Sequence, residues 1–387
     1  MEGQPPAAES RGRAAVSGTA PVQPIEKILL ARLRLIGDVV FTTPLIRALR
    51  RRFPDAHLTY LVEPPAVPVL RGNPHLNELI VVPRQTGVAR ILGDLAMARA
   101  LRRARFDVAI DFHGGPRSAF LTWASGAPMR IGYTIAGRSW MYTHVVDRSA
   151  DLAPRHSVLN QCDLLKPLGI ETCDPAVDAY EMAEDRDAAA GVDARLRELG
   201  ITRDHDVVVM HVSAGNPFRR WPAESFTRVA AALVKGASNR RVILVSGPSE
   251  QAAAAAIAAA ARSAAGAAGP RIVAGEYDLA ELRALVARAA VYIGGDSGPL
   301  HVAATTRTPI VELLGPTLAE RSRPWRDDRC FTEIVDAGAL SCRPCRQRTC
   351  APGDFRCLSG IAPERVLAAA ERAIGSARDS FREMQHA

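Results

Sequence analysis

Short apolar runs alternate along the chain with longer stretches in which apolar side chains recur every three or four positions. Residues 28–31, 57–62, 79–82 and 108–111 are dominated by Ile, Leu, Val and Ala, the composition of strands buried on both faces. Between them, 45–53 reads as a helix and 89–104 as an amphipathic helix. The rhythm breaks between 169 and 200, where Pro, Asp and Glu accumulate, and then restarts. Strands are predicted at 207–210, 242–245, 271–273, 291–293 and 309–314, with helices at 223–235, 251–265 and 279–289. The helix at 251–265 is mostly alanine, a low-complexity segment of strong helix propensity. Strand–helix–strand repetition implies mostly parallel sheets with helices on both faces.

Two such series in 387 residues imply two α/β domains of similar size, with a ligand cleft between them. The predicted boundaries are a disordered tail at 1–24, a first domain at 25–170, a linker at 171–200, a second domain at 201–365 and a closing helix at 366–387. The tail is rich in Pro, Ala, Gly and Ser and lacks the apolar core of a secretion signal. No apolar run approaches the length expected of a bilayer-spanning helix. Both features point to a cytoplasmic protein.

Charge distinguishes the first domain. The whole chain carries +8, but residues 25–160 hold 19 Arg and Lys against 10 Asp and Glu, a local excess of +9. This half is the one drawn to an anionic partner: a phosphorylated substrate, a membrane surface or nucleic acid. Arg50, Arg51, Arg52, Arg102, Arg103 and Arg105 are the candidates, and a solvated basic surface is the alternative.

Three segments carry candidate chemistry. Arg34-Leu35-Ile36-Gly37-Asp38-Val39-Val40 follows the first predicted strand, where Gly37 lets backbone approach a ligand and Asp38 can accept a proton from an attacking hydroxyl. A carboxylate there also serves as a helix cap. Gly294-Gly295-Asp296-Ser297-Gly298-Pro299-Leu300-His301 joins a strand to a helix, so small residues and free N–H groups can meet a diphosphate. A plain Gly-rich turn is the alternative. His211 to Pro222 follows the first strand of the second domain and offers Arg219 and Arg220 to phosphate oxygens, beside Trp221-Pro222.

Together these segments resemble glycosyltransferase family 9, the heptosyltransferases of lipopolysaccharide assembly. Leu35-Ile36-Gly37-Asp38-Val39-Val40 with Thr43-Pro44 is similar to that family's first motif, Gly295 to His301 to its donor motif, and Arg219-Arg220-Trp221-Pro222 to its basic-x-Trp-Pro segment. The order holds from Ile25 to Val366. The resemblance implies a GT-B fold, two Rossmann-like parallel-sheet domains facing a central cleft, the first binding the acceptor and the second the nucleotide-sugar. It implies inverting, metal-independent transfer of a heptose from ADP-heptose, or another nucleotide-sugar, to the lipid A–inner core, with no cofactor required for catalysis. Asp38 takes the place of the general base. The donor contacts map to Asp296, Ser297, Gly298 and His301, and the phosphate-binding Lys to Arg219, a departure in residue type. Ser246, Gly247 and Glu250, at a strand end, are further donor-side candidates, and Gly37, Asp111, His113 and Arg117 are acceptor-side candidates. The acceptor implies peripheral contact with the cytoplasmic face of the inner membrane, and no nucleic acid is expected. The rivals are another GT-B transferase, a UDP-sugar epimerase, and a non-enzymatic nucleotide-sugar or nucleic-acid binder.

Cys342, Cys345, Cys350 and Cys357 form a separate cluster. Four thiols among Pro and Gly suit a structural zinc or iron–sulfur site, with buried free thiols or a disulfide as alternatives.

Overall fold

The computed structural model describes residues 24–147, 154–212, 216–345 and 347–386. The predicted tail, apart from Pro24, lies outside the described residues, as do Ser213-Ala214-Gly215 of the third candidate segment.

Two six-stranded sheets account for all twelve strands among the described residues. The first contains β1 (Lys27–Ala31), β2 (His57–Val62), β3 (Glu78–Val81), β4 (Val108–Asp111), β5 (Met129–Tyr133) and β6 (His144–Val146) in the order β3-β2-β1-β4-β5-β6. The second contains β7 (Asp206–His211), β8 (Arg240–Ser246), β9 (Ile272–Glu276), β10 (Val291–Gly295), β11 (Ile310–Leu314) and β12 (Thr332–Asp336) in the order β12-β11-β10-β7-β8-β9. Read from the opposite edge the second order matches the first. Every pairing is parallel. Each sheet is therefore a doubly wound, Rossmann-like unit that reverses direction between its two central strands.

The unbroken apolar runs follow from this arrangement. Ile28 and Leu30 of β1 face one apolar cluster while Leu29 and Ala31 face another, because alternate side chains point to opposite faces. Val207 and Val209 of β7 are likewise divided from Val208 and Met210. One cluster continues from Val40 and Phe41 through Tyr180 and Trp325 to Leu300 and Val302, so the two domains share apolar packing at the base of the cleft.

The range predicted as linker holds the helix Arg186–Glu198, capped by the Asp185 carboxylate. Its Ala189, Val192 and Leu196 join Leu282 and Leu285 of the Leu279–Ala287 helix in the same apolar cluster. The closing helix, Pro363–His386, sets Ala369, Ala370, Ala373 and Ile374 into the second domain's core beside Trp221 and Phe226. Against the sequence expectation, one segment, Pro248–Arg271, has the length and apolar composition of a membrane span. Its Ile257, Ala258, Ala261 and Ala265 are buried in the second core, so that face is already occupied by protein.

Candidate active site

All four central strands point their carboxyl ends into the cleft region, and each is followed by a candidate segment. β1 leads to Asp38, β4 to Asp111–Arg117, β7 to Arg219, and β10 to Asp296–His301. The crevice where strand order reverses is thus lined from both domains.

Asp38 lies in the short helix Ile36–Val40. The residue before that helix, Leu35, has φ 66° and is 68% exposed. A non-glycine residue held there costs on the order of 1–3 kcal/mol, a strain that recurs at functional loops. The Asp38 carboxylate is partly exposed and accepts from the Arg32 guanidinium, which is itself nearly enclosed. Arg32 Nη1 also donates to the Phe112 carbonyl at 2.6 Å, so the first sheet fixes the group that orients Asp38.

The second domain meets this helix directly. A Cβ placed on Gly37 would lie 3.1 Å from His301 Cδ2 and 3.5 Å from Gly298 Cα. One on Gly298 would lie 3.2 Å from the Ile36 Cβ. Glycine at both positions permits an approach that larger residues obstruct. His301 also packs edge-on against Phe41, with ring centroids 4.5 Å apart.

Asp296 organises the donor-side loop. It is buried, and its carboxylate accepts from Thr317 Oγ1 at 2.7 Å and Ser322 Oγ at 3.2 Å. His301 Nε2 lies 3.4 Å away and Arg219 Nη1 3.4 Å away. Burial pushes this carboxyl up, but His301, Arg219 and Thr317 outweigh it and hold it down at about 2. Asp296 is therefore an anion that positions Arg219 and His301. Arg219 Nη1 also donates to the Asp296 carbonyl at 2.7 Å, and Arg219 Nε donates to Gln347 Oε1 at 3.0 Å. Ser297 Oγ donates to the Gly295 carbonyl at 3.1 Å, and Gly298 opens the helix Gly298–Ala303.

The remaining candidates occupy different environments. Ser246 is buried at the end of β8, Gly247 follows it, and Glu250 accepts from Arg220 at 2.7 Å. Asp111 is fully buried, and its oxygens accept from the His113 and Gly114 amides, Ser118 Oγ and the Tyr142 hydroxyl. It shapes the loop and presents no surface to an acceptor in this conformation, and burial holds its carboxyl above the ordinary value despite those bonds. His113 lies close enough to Arg32, Arg34 and Asp38 to feel their charges. Burial and the two guanidinium groups lower its pKa to about 4, so the ring is neutral near pH 7. Arg117 is engaged with Asp94 at 2.6 Å and lies 3.8 Å from Glu63.

The four clustered cysteines line one cavity of about 60 Å³ beside Phe218 and Phe355. Among the described residues, however, no three His, Cys, Asp or Glu side chains are arranged to hold a metal ion, so the predicted zinc or iron–sulfur site is not assembled. The loop's visible contribution is Gln347, which also accepts from Asn216 Nδ2 at 2.7 Å and so links the cysteine loop to the Arg219 segment.

Gln347, Arg32, Thr317 and Ser322 escaped the sequence reading. None sits in a motif, and only the Arg ending an apolar strand offered a signal. Glu312 was missed too. It lies across the ladder from Gly294, fully buried, with neither oxygen hydrogen-bonded among the described residues. Burial and the Asp296 charge hold its carboxyl well above the ordinary value. The site thus offers a carboxylate from one domain and a positioned guanidinium with a glycine turn from the other, the elements of acid–base chemistry beside a phosphate group.

Comparison with known proteins identifies the family. The family model for glycosyltransferase family 9 (heptosyltransferase) matches residues 95–355. Lipopolysaccharide heptosyltransferase 3 of Escherichia coli strain K12 is 29% identical over 353 residues, covering 88% of this chain and 96% of that protein. Among solved structures, the glycosyl transferase family 9 protein of Veillonella parvula DSM 2008 superposes with a TM-score of 0.76 at 23% identity, covering 90% of this chain and 97% of its own. The E. coli ADP-heptose lps heptosyltransferase II does so with a TM-score of 0.73 at 20% identity, covering 90% and 98%. The paired Rossmann-like sheets are the GT-B fold. The family match runs from the first domain through the donor loop of the second, and the chain belongs to glycosyltransferase family 9.

Proposed function

We propose that the protein transfers a heptose from ADP-heptose to the lipopolysaccharide inner core, with inversion at the anomeric carbon and without a catalytic metal. The observation that carries this reading is the contact between the Asp38 helix and the Ser297–His301 turn, through Gly37 and Gly298. Asp38 takes the proton of an acceptor hydroxyl, and Arg32 keeps its carboxylate aimed. The acceptor oxygen forms a bond to the anomeric carbon as the bond from that carbon to the diphosphate oxygen breaks, and ADP leaves. Attack from the face opposite the leaving group inverts the centre. Arg219 and the backbone N–H groups around Ser297 and Gly298 meet the charge that develops on the diphosphate, a preorganised electrostatic role. Ser246, Gly247 and Glu250 border the nucleotide side. The basic first domain receives the phosphorylated, lipid-borne acceptor at the cytoplasmic face of the membrane, with His113 as a neutral hydrogen-bonding group near Asp38.

The test supplies purified protein with ADP-heptose and a core lipopolysaccharide lacking the terminal heptose. The expected product gains one heptose, carries the anomeric configuration opposite to the donor by NMR, and forms at the same rate in chelator. Retention of configuration, loss of activity with chelator, or use of another nucleotide-sugar in place of ADP-heptose would each overturn a named part.

A further inference from the structure

The helix Gly87–Ala104 fully buries one residue, Leu101, of its 18. Its inward side is nonetheless defined. Met97, Leu101 and Ala104 pack with Leu29, Leu33, Phe120 and Leu121, and Asp94 turns to Arg117 of the adjoining helix, Pro116–Ala124. At helical spacing, Val88, Ile91, Leu92 and Leu95 fall on the opposite side. They are 72%, 61%, 61% and 40% exposed. Arg99, Arg102 and Arg103 continue the outer surface and are exposed. On the adjoining helix Trp123 is exposed, and its ring meets exposed Trp140 at 5.7 Å.

This surface is apolar at one end and cationic at the other, and the helix's one carboxylate, Asp94, is already taken inward by Arg117. A second copy set against it would bring guanidinium groups onto guanidinium groups or onto bare apolar side chains, with no counter-charge either way. A bilayer bearing anionic headgroups supplies both complements: an apolar layer for Val88, Ile91, Leu92 and Leu95, and phosphates for the arginines. Trp side chains favour that boundary. The helix begins just after the carboxyl end of β3, the same sheet edge from which Asp38 projects, so its apolar half lies toward the cleft.

We infer that the outer face of the Gly87–Ala104 helix, with Trp123 and Trp140, docks on an anionic lipid surface and holds the cleft over it. Its use in catalysis rests on the lipid-borne acceptor proposed above; the docking itself does not. The test is flotation of the full chain with vesicles of phosphatidylcholine alone and of phosphatidylethanolamine with phosphatidylglycerol. The chain floats with the anionic vesicles and not with phosphatidylcholine. Ile91→Asp with Leu92→Asp abolishes flotation, and Arg99→Gln weakens it roughly fivefold. All these positions are exposed, so the variants keep the wild-type melting temperature, and they keep transfer to a deacylated, soluble acceptor. That last assay separates failure of docking from failure of the transferase reading. The inference is overturned if wild type stays unbound with anionic vesicles, if the double Asp variant floats with it, or if that variant splits a solution dimer, which would give the face to a second copy.

Discussion

Replacing Gly37 with valine loads the contact on which the two-domain site depends. The added Cβ would stand 3.5 Å from Gly298 Cα and 3.1 Å from His301 Cδ2, the latter already tighter than ordinary contact, and two γ carbons would follow it. His301 cannot readily yield, because it is buried between Asp296 and the Phe41 ring. Overpacking of this kind costs about 1–3 kcal/mol. The cost falls on the closed arrangement, since a Cβ on an open, solvent-facing Gly37 meets nothing of the second domain. At 1.4 kcal/mol per factor of ten, closure weakens roughly fivefold to 150-fold. In the open arrangement the valine does not reach the donor loop, so calorimetry with ADP should give the wild-type affinity while kcat falls by that factor. Small-angle scattering should show a larger radius of gyration. A Gly37→Val enzyme with wild-type kcat would refute the reasoning, because it would mean that the two loops need not meet during turnover.

Further outcomes are expected at Arg219 with its partner Gln347, at His156 and at Leu35. Arg219→Ala should weaken ADP binding roughly tenfold to 150-fold in calorimetry, the worth of a charge-assisted hydrogen bond, and Gln347→Ala, which frees Arg219 Nε from its acceptor, should weaken it less; unaltered affinity in the Arg219 variant would count against its phosphate role. His156 accepts from the Val158 amide through Nδ1 and donates through Nε2 to the Arg323 carbonyl, so the folded chain needs it neutral. Burial leads in lowering its pKa to about 4, so the unfolded chain binds the extra proton first and stability falls as pH drops from about 6.5 to 4, by about 3 kcal/mol. His156→Asn keeps a capping oxygen without the titration, and its denaturation free energy should decline less across that window; parallel curves would remove His156 as the cause. Leu35→Gly relieves a φ of 66° and should raise thermal stability by about 1 kcal/mol in calorimetry, with unchanged stability as the contrary result.

Of the nine strands legible in the sequence, seven are buried on both faces, whereas β3 and β9 are only partly buried. β1, β2, β4, β7, β8, β10 and β11 read as apolar runs because helices cover each side. β5, β6 and β12 were not foreseen. Met129–Tyr133 is interrupted by Arg130 and Gly132, His144–Val146 is largely exposed, and Thr332–Asp336 fully buries only Val335, so none forms a continuous run. The helix at 186–198 was hidden by its charged residues, since three apolar contacts suffice to dock it. Periodicity marked 89–104 as a helix, but the amphipathic reading does not hold: apolar side chains lie on both sides, Met97, Leu101 and Ala104 inward and Ile91, Leu92 and Leu95 outward. In the site, Asp38, Asp296, Arg219 and His301 were readable because they sit in strand-to-helix turns of fixed spacing. Gln347 and Glu312 were not, because their importance comes from tertiary neighbours distant in sequence, and Arg32 was not, because no motif marks its bond to Asp38 six residues on.

Asp38→Asn offers the sharpest trial of the mechanism, since it keeps size and hydrogen bonding to Arg32 while removing the basic oxygen. Single-turnover transfer from ADP-heptose, read beside donor affinity on the same preparation, should show the chemical step slowed by about 10²–10⁴ with the donor bound as tightly as by wild type. Transfer at the wild-type rate would contradict the account.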